Sequence, residues 1–198
     1  MDDVRVKEVL KEFEDVFSEE HGKIKGYKAR IHVREDANPQ HFSARRVPFP
    51  LKKRIENELT RLVNEDIIEE VDPAAPPIPW ATPTVNVEKN DGSIRICGDF
   101  RVTLNQNLVP ENAIIPTFEE LTNKVAGGKE FSKIVLRDAY LQVEVAEEHR
   151  KYLVIATHSG YYKYKRLPFG ISSSPVEIVG VEAHSVMEVA AVIANVVA

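Results

Sequence analysis

Two cations, Lys89 and Arg95, flank the polar turn Asn90-Asp91-Gly92-Ser93. Such a pair leaves a stiff two-stranded ribbon together, although charges on a hairpin more commonly just keep it soluble. A second basic set comprises Arg45, Arg46, Lys52, Lys53, Arg54, Lys163, Lys165 and Arg166. Gathered along one groove, these would suit nucleic acid, with Trp80 or Tyr162 available for stacking; spread over the surface, they only solvate it. Asp99 has Arg101 and Lys133 as candidate ion-pair partners, the commoner fate of an acid at a strand end. The six histidines and Cys97 show no metal-ligand spacing, so no zinc site is expected. There is no glycine-rich phosphate loop and no nucleophile elbow.

The elements that must position these groups come from an ordinary globular composition. The 198 residues are 43% hydrophobic and 29% charged, and 26 Lys plus Arg against 31 Asp plus Glu give a net charge of −5. This excludes a wholly disordered or collagen-like chain, and mild acidity argues against sequence-blind coating of DNA by net charge. A single cysteine excludes an internal disulfide framework and implies a reducing, intracellular setting. The acidic N-terminus lacks the order of a signal peptide, and no apolar run approaches the ~18 residues of a membrane span, so no membrane partner is expected.

Apolar periodicity predicts amphipathic helices over Val4–Phe17 and, more clearly, Leu51–Ile68, with Pro50 in the first turn of the latter. Lys28–Val33 alternates like a strand, and Glu35–Pro50 reads as an extended connector. Five prolines make Val71–Pro83 a fixed-shape loop or linker. Thr84–Glu88 and Ile94–Cys97 form the strongest hairpin signal. Thr117 caps a short helix that ends at Gly127-Gly128. Phe131–Leu136 and Leu141–Val145 read as strands around an Asp138-Ala139-Tyr140 corner. Glu147–Lys151 reads as one helical turn, and Tyr152–Thr157 with Tyr161–Arg166 as a second hairpin. Strands interleaved with helices and tight hairpins predict an α+β domain with a mixed or antiparallel sheet.

Five strings in this order and spacing, EFEDVF from Glu12, PWATP from Pro79, EKNDGSIRICGDFR from Glu88, FSKIVLRDAY from Phe131 and YYKYKRLPFGISSSP from Tyr161, carry a family likeness. Over about residues 10 to 175 the chain resembles the reverse transcriptase of gypsy-class retroelements. The resemblance implies a fingers and partial-palm fold over residues 41–175. Residues 1–40 precede it as an N-terminal helix and linker, and residues 176–198 follow as a divergent apolar tail. It further implies a template–primer of RNA or DNA and a deoxynucleoside triphosphate as partners. Lys89 and Arg95 would contact the triphosphate, and the backbone N–H groups of Asp138 and Ala139 would border it. Tyr140 would pack under the sugar and exclude a 2′-hydroxyl, while Phe169 and Gly170 would line the nucleotide's other side. Trp80 and Val85 would approach the template. Without the resemblance, Tyr140 and Phe169 read as core aromatics and Trp80 as a plug under a loop.

The chain departs from the family pattern where metal is held. The complete family uses magnesium, Mg²⁺, bound by aspartates, and Val135 occupies the position of one of them. Valine offers no oxygen to a hard cation. The remaining family aspartates belong to a Tyr-x-Asp-Asp turn further on, and no Asp follows Asp138 here. The sequence-based expectation is therefore a copy truncated before that turn, with no catalytic residues, no metal of its own and no polymerase activity. The alternative is a non-catalytic nucleic-acid-binding or scaffold module, pairing with a protein through an exposed palm edge and the apolar run Val189–Ala198.

Overall fold

The computed structural model describes residues 22–72, 77–110 and 138–173, together with Lys7, Lys11, 119–120, Asn123 and 126–128. Lys7 and Lys11 are helical, as are Glu119, Glu120 and Asn123. The rest of the two helices expected there lies outside the described residues. So do the expected strand Phe131–Leu136, with Val135, and the tail 176–198.

Helix α1 (Phe49–Asn64) places Ile55, Leu59 and Leu62 in the core at steps of four and three residues. On its wetter side the Arg61 guanidinium forks between Glu58 and Glu65, at 2.7 Å from each. Periodicity predicts this helix to run on to Ile68, but it stops at Asn64. Asp66 turns left-handed, at φ 57, a conformation aspartate tolerates better than most non-glycine residues. The Ile67 N–H then bonds back to the Leu62 carbonyl at 2.9 Å. That wrap drives Ile67 and Ile68 into the core and starts a strand instead.

Strands β2 (Ile68–Glu70), β3 (Thr82–Glu88), β4 (Ile94–Gly98), β6 (Val154–Thr157) and β7 (Gly160–Tyr164) make a five-stranded sheet in the order β2-β7-β6-β3-β4. Its pairs are antiparallel except β3–β6, which runs parallel through Thr82–Ile155 and Pro83–Ala156. β1 (Lys28–Ala29) and β5 (Glu144–Val145) pair in parallel as a separate two-stranded sheet. The fold is α+β with a mixed sheet, helix α1 packing on β2 and β4.

Three boundaries differ from the sequence reading. The proline-rich loop ends before Thr82, and Pro83 is a buried strand residue whose carbonyl accepts the Asp99 N–H at 2.9 Å. Of Lys28–Val33 only Lys28–Ala29 is strand, followed by a bridge from Val33 to Leu108. Leu141–Val145 is divided between a 3-10 turn, Ala139–Gln142, and the short β5.

Two side-chain constraints hold these pieces in register. The Ile31 N–H donates to His149 Nδ1 at 2.7 Å, which requires that nitrogen to be unprotonated. Burial accordingly holds this imidazole below its ordinary value of 6.5. At the end of β4, a Cβ on Gly98 would lie 2.6 Å from Phe100 Cε2 and 3.2 Å from Ile155 Cγ2. Phe100 is fully buried, so its ring has nowhere to retreat.

A histidine depressed in the folded state binds fewer protons folded than unfolded. Its contribution is complete above the unfolded value and is lost as pH falls from there through the lower, folded value. Denaturant melts of the native chain from about pH 7.5 to about pH 5.5 should lose stability on the acid side, with a flatter profile in His149→Gln; superimposable profiles would refute the contact. By the same melts, Gly98→Ala should cost about 1–3 kcal/mol.

Candidate functional site

The β3–β4 hairpin turns as its residue types require. Glu88 pairs with Ile94, the Lys89 N–H donates to Ser93 O at 2.9 Å, and Gly92 adopts φ 80. The Asp91 carboxylate accepts from both the backbone and the hydroxyl of Ser93, which holds its pKa below the ordinary value. Arg54 of α1 reaches across to Glu88, at 2.7 Å, and to the Gly92 carbonyl. The helix thereby anchors the hairpin that carries Lys89 and Arg95.

Arg95 meets a ring rather than a carboxylate. Its guanidinium carbon lies 5.1 Å from the Phe169 centroid, within cation–π range. Phe169 in turn stands edge-on to Tyr140, with centroids 5.4 Å apart and planes at 87°. Lys89, Arg95, Asp138 and Phe169 line one small cleft with Glu58 and Arg61 of α1. The residues singled out around the triphosphate by resemblance thus come together from three separate stretches of chain. The cleft holds only about 30 Å³, room for about one water, whereas ligand pockets run to several hundred Å³.

Asp138 is held by its backbone. It is left-handed, at φ 44 and ψ 48, and its carbonyl accepts the Leu141 N–H at 2.8 Å to open the Ala139–Gln142 turn. Left-handed aspartates cost free energy and gather at functional corners. Gly170 has φ 92, and a Cβ there would lie 3.4 Å from Gly98 O. This loop therefore rests backbone to backbone on the end of β4.

Trp80 does not offer a stacking face. It is buried and stands edge-on to Tyr152, with centroids 5.8 Å apart. Val85, on β3, is 37% exposed. Six of the eight basic residues considered for a groove are engaged within the fold, Arg54 among them at Glu88. Arg45 binds Asp99 at 2.7 Å, Lys53 meets Glu56 at 3.8 Å, and Lys163 meets Glu69 at 2.8 Å. Lys165 pairs with Asp66, and Arg166 is buried against the carbonyls of Asp66, Gly22 and Leu141. Asp99 is held between Arg101, at 3.0 Å, and Arg45, and these guanidinium groups keep its carboxyl below the ordinary range. A wider recess of about 1010 Å³ lies apart, at Lys23–Lys28 and Glu144–Glu148. There Glu144 is neutralised by Lys23 and Arg150, each at 2.9 Å, so its charges are mixed.

Sequence reasoning missed Asn105. Its side chain meets both Gly170 and Ser172, contacts more than sixty residues away in sequence, and the stretch Leu104-Asn105-Gln106-Asn107-Leu108 gives no local sign of them.

No protein-family model matches the chain. An uncharacterised protein of Caenorhabditis elegans is 38% identical over 174 residues, 86% of this chain and 13% of that relative. The retrovirus-related Pol polyprotein from transposon 297 of Drosophila melanogaster is 25% identical over 173 residues, 86% of this chain and 16% of the polyprotein. The chain thus spans less than a fifth of the length of either relative. Among solved structures, prototype foamy virus protease–reverse transcriptase matches with a TM-score of 0.77 at 17% identity, over 90% of this chain and 24% of that one. A foamy viral protease–reverse transcriptase in complex with double-stranded DNA matches with a TM-score of 0.70 at 16% identity, over 93% of this chain and 33% of that one. The sequence likenesses make the chain a homologue of the retrotransposon polyproteins, and the structural ones give it a reverse-transcriptase fold.

The left-handed corner makes its own prediction. Asp138→Val should be about 1–3 kcal/mol less stable than Asp138→Gly, because only glycine takes the left-handed conformation without cost. Denaturant melts check both, and equal values for the two variants would refute backbone strain at this corner.

Proposed function

We propose that this relative of the retrotransposon polyproteins, folded as the fingers and part of the palm of a reverse transcriptase, binds a nucleoside triphosphate beside a template–primer but does not itself extend the primer. The observation that carries the reading is the convergence of Lys89, Arg95, Asp138 and Phe169 on one cleft, with Tyr140 against Phe169. Lys89 and Arg95 neutralise the triphosphate from the fixed hairpin. Tyr140 packs under the sugar, and Phe169 with Gly170 closes the opposite side. Val85 faces the template, and buried Trp80 sets the path of that strand from beneath. A fold neighbour in complex with double-stranded DNA supports a duplex as the second ligand.

Primer extension in this family runs on magnesium, which when bound neutralises the phosphates and lowers the barrier to attack by the primer hydroxyl. The side chains present do not fit that ion pair. Position 135 is valine, no Asp follows Asp138 in these 198 residues, and Asp99 is committed to two arginines. Among the described residues, no three His, Cys, Asp or Glu side chains gather as a metal-binding group.

Titration of the purified chain with a fluorescent nucleoside triphosphate should give saturable binding that weakens with salt. Lys89→Ala and Arg95→Ala should each weaken it about tenfold, the worth of one charge-assisted contact. A primer-extension assay with magnesium should give no product in the native chain or in Val135→Asp. Robust incorporation would overturn the inactive reading, and absence of saturable binding would overturn the nucleotide reading.

A further inference from the structure

The Phe169–Gly170 loop lines the proposed cleft, yet no strand or helix of the described residues contains it. One side-chain amide bonds two of its residues. Asn105 Nδ2 donates to Gly170 O at 2.8 Å, and Asn105 Oδ1 accepts the Ser172 N–H at 3.1 Å. Both ends of one planar group are used on two residues of the same loop, which sets its orientation as well as its distance.

Asn105 is itself well supported. It opens the 3-10 turn Asn105–Asn107, directly after the fully buried Leu104. Asn107 holds that turn from the far side, its N–H bonding Leu104 O at 2.8 Å and its Nδ2 bonding Thr103 O at 2.9 Å. The Thr103 hydroxyl meets the Thr82 hydroxyl of β3 at 2.7 Å, and both residues are buried. A continuous set of contacts thus runs from β3 through the turn to the loop. On the loop side, Ile171 is buried and Gly170 rests on the Gly98 backbone, so the loop has one seat.

The geometry points to Asn105 as a positioning residue that holds the Phe169–Gly170 loop in place for nucleotide binding. It does not touch the nucleotide. It fixes the residue next to Phe169, and so the ring that meets Arg95 and Tyr140. This role rests on the nucleotide reading above, and two substitutions divide it. Asn105→Ala removes both hydrogen bonds. Asn105→Asp keeps an acceptor for the Ser172 N–H but sets a carboxylate oxygen against Gly170 O in place of the donor.

The test uses the full chain and two readouts. Amide exchange at Ser172, followed by NMR, should quicken at least about tenfold in Asn105→Ala and stay near native in Asn105→Asp. Affinity for a fluorescent nucleoside triphosphate should fall about tenfold in both variants. Because Lys89 and Arg95 remain and no charge is added, the salt dependence of binding should stay native in Asn105→Ala, whereas Lys89→Ala reduces it. A general loss of structure would instead quicken exchange throughout β6 and β7. Unchanged Ser172 exchange in Asn105→Ala, or native affinity in both variants, would overturn the role of Asn105. A native chain that binds no triphosphate would remove the nucleotide reading beneath it, a result told apart because the blank is then in the native protein.

Discussion

The site depends on a contact between two backbones. Gly98 ends β4 with no side chain, and the space a Cβ would take there is filled by the Phe100 ring and Ile155. A Cβ on Gly170 would lie 3.4 Å from Gly98 O, so the two segments meet at van der Waals distance. Because they meet, the loop that carries Phe169 is held against the same strand that carries Arg95 three residues earlier. Helix α1 completes the frame by gripping the hairpin through Arg54, so the cations and the aromatic loop are referred to one rigid body. Close packing of this kind transmits small displacements instead of absorbing them.

The distribution of charge follows from that frame. Most of the basic residues that look like a nucleic-acid groove in the sequence are spent on nearby acids or, for Arg166, on buried carbonyls. Exposed pairs of this sort contribute little stability, but they remove the field that a groove would need. Arg95 differs, since its neighbour is the face of Phe169. A cation over a ring keeps its charge available to an anion while staying oriented.

Much of this was legible in the sequence, and the rest was hidden for identifiable reasons. The Asn90–Ser93 turn and the stripe through Ile55, Leu59 and Leu62 announce themselves because turn chemistry and helical period are local. The end of α1 was not legible. The periodic stripe continues to Ile68, and only the left-handed turn at Asp66 redirects it into β2. Trp80 is a stacking candidate in the sequence, yet it is buried edge-on to Tyr152, seventy-two residues away. Asn105 was invisible for the same reason, since its partners lie on a loop far along the chain. Motif matching brought Lys89, Arg95, Tyr140 and Phe169 forward together. Their convergence is a property of the tertiary fold, in which β4 is the edge strand beside β3 and Tyr140 and Phe169 lie on turns.

The central claim is that this cleft is built to hold a triphosphate by cations and an aromatic loop, without a metal-binding carboxylate at position 135. A crystal structure of the chain grown with template–primer, nucleoside triphosphate and magnesium addresses it most directly. The account predicts phosphate density between Lys89 and Arg95, and no pair of metal ions beside residue 135. Two ions bound there, or a nucleotide seated away from the hairpin, would contradict it.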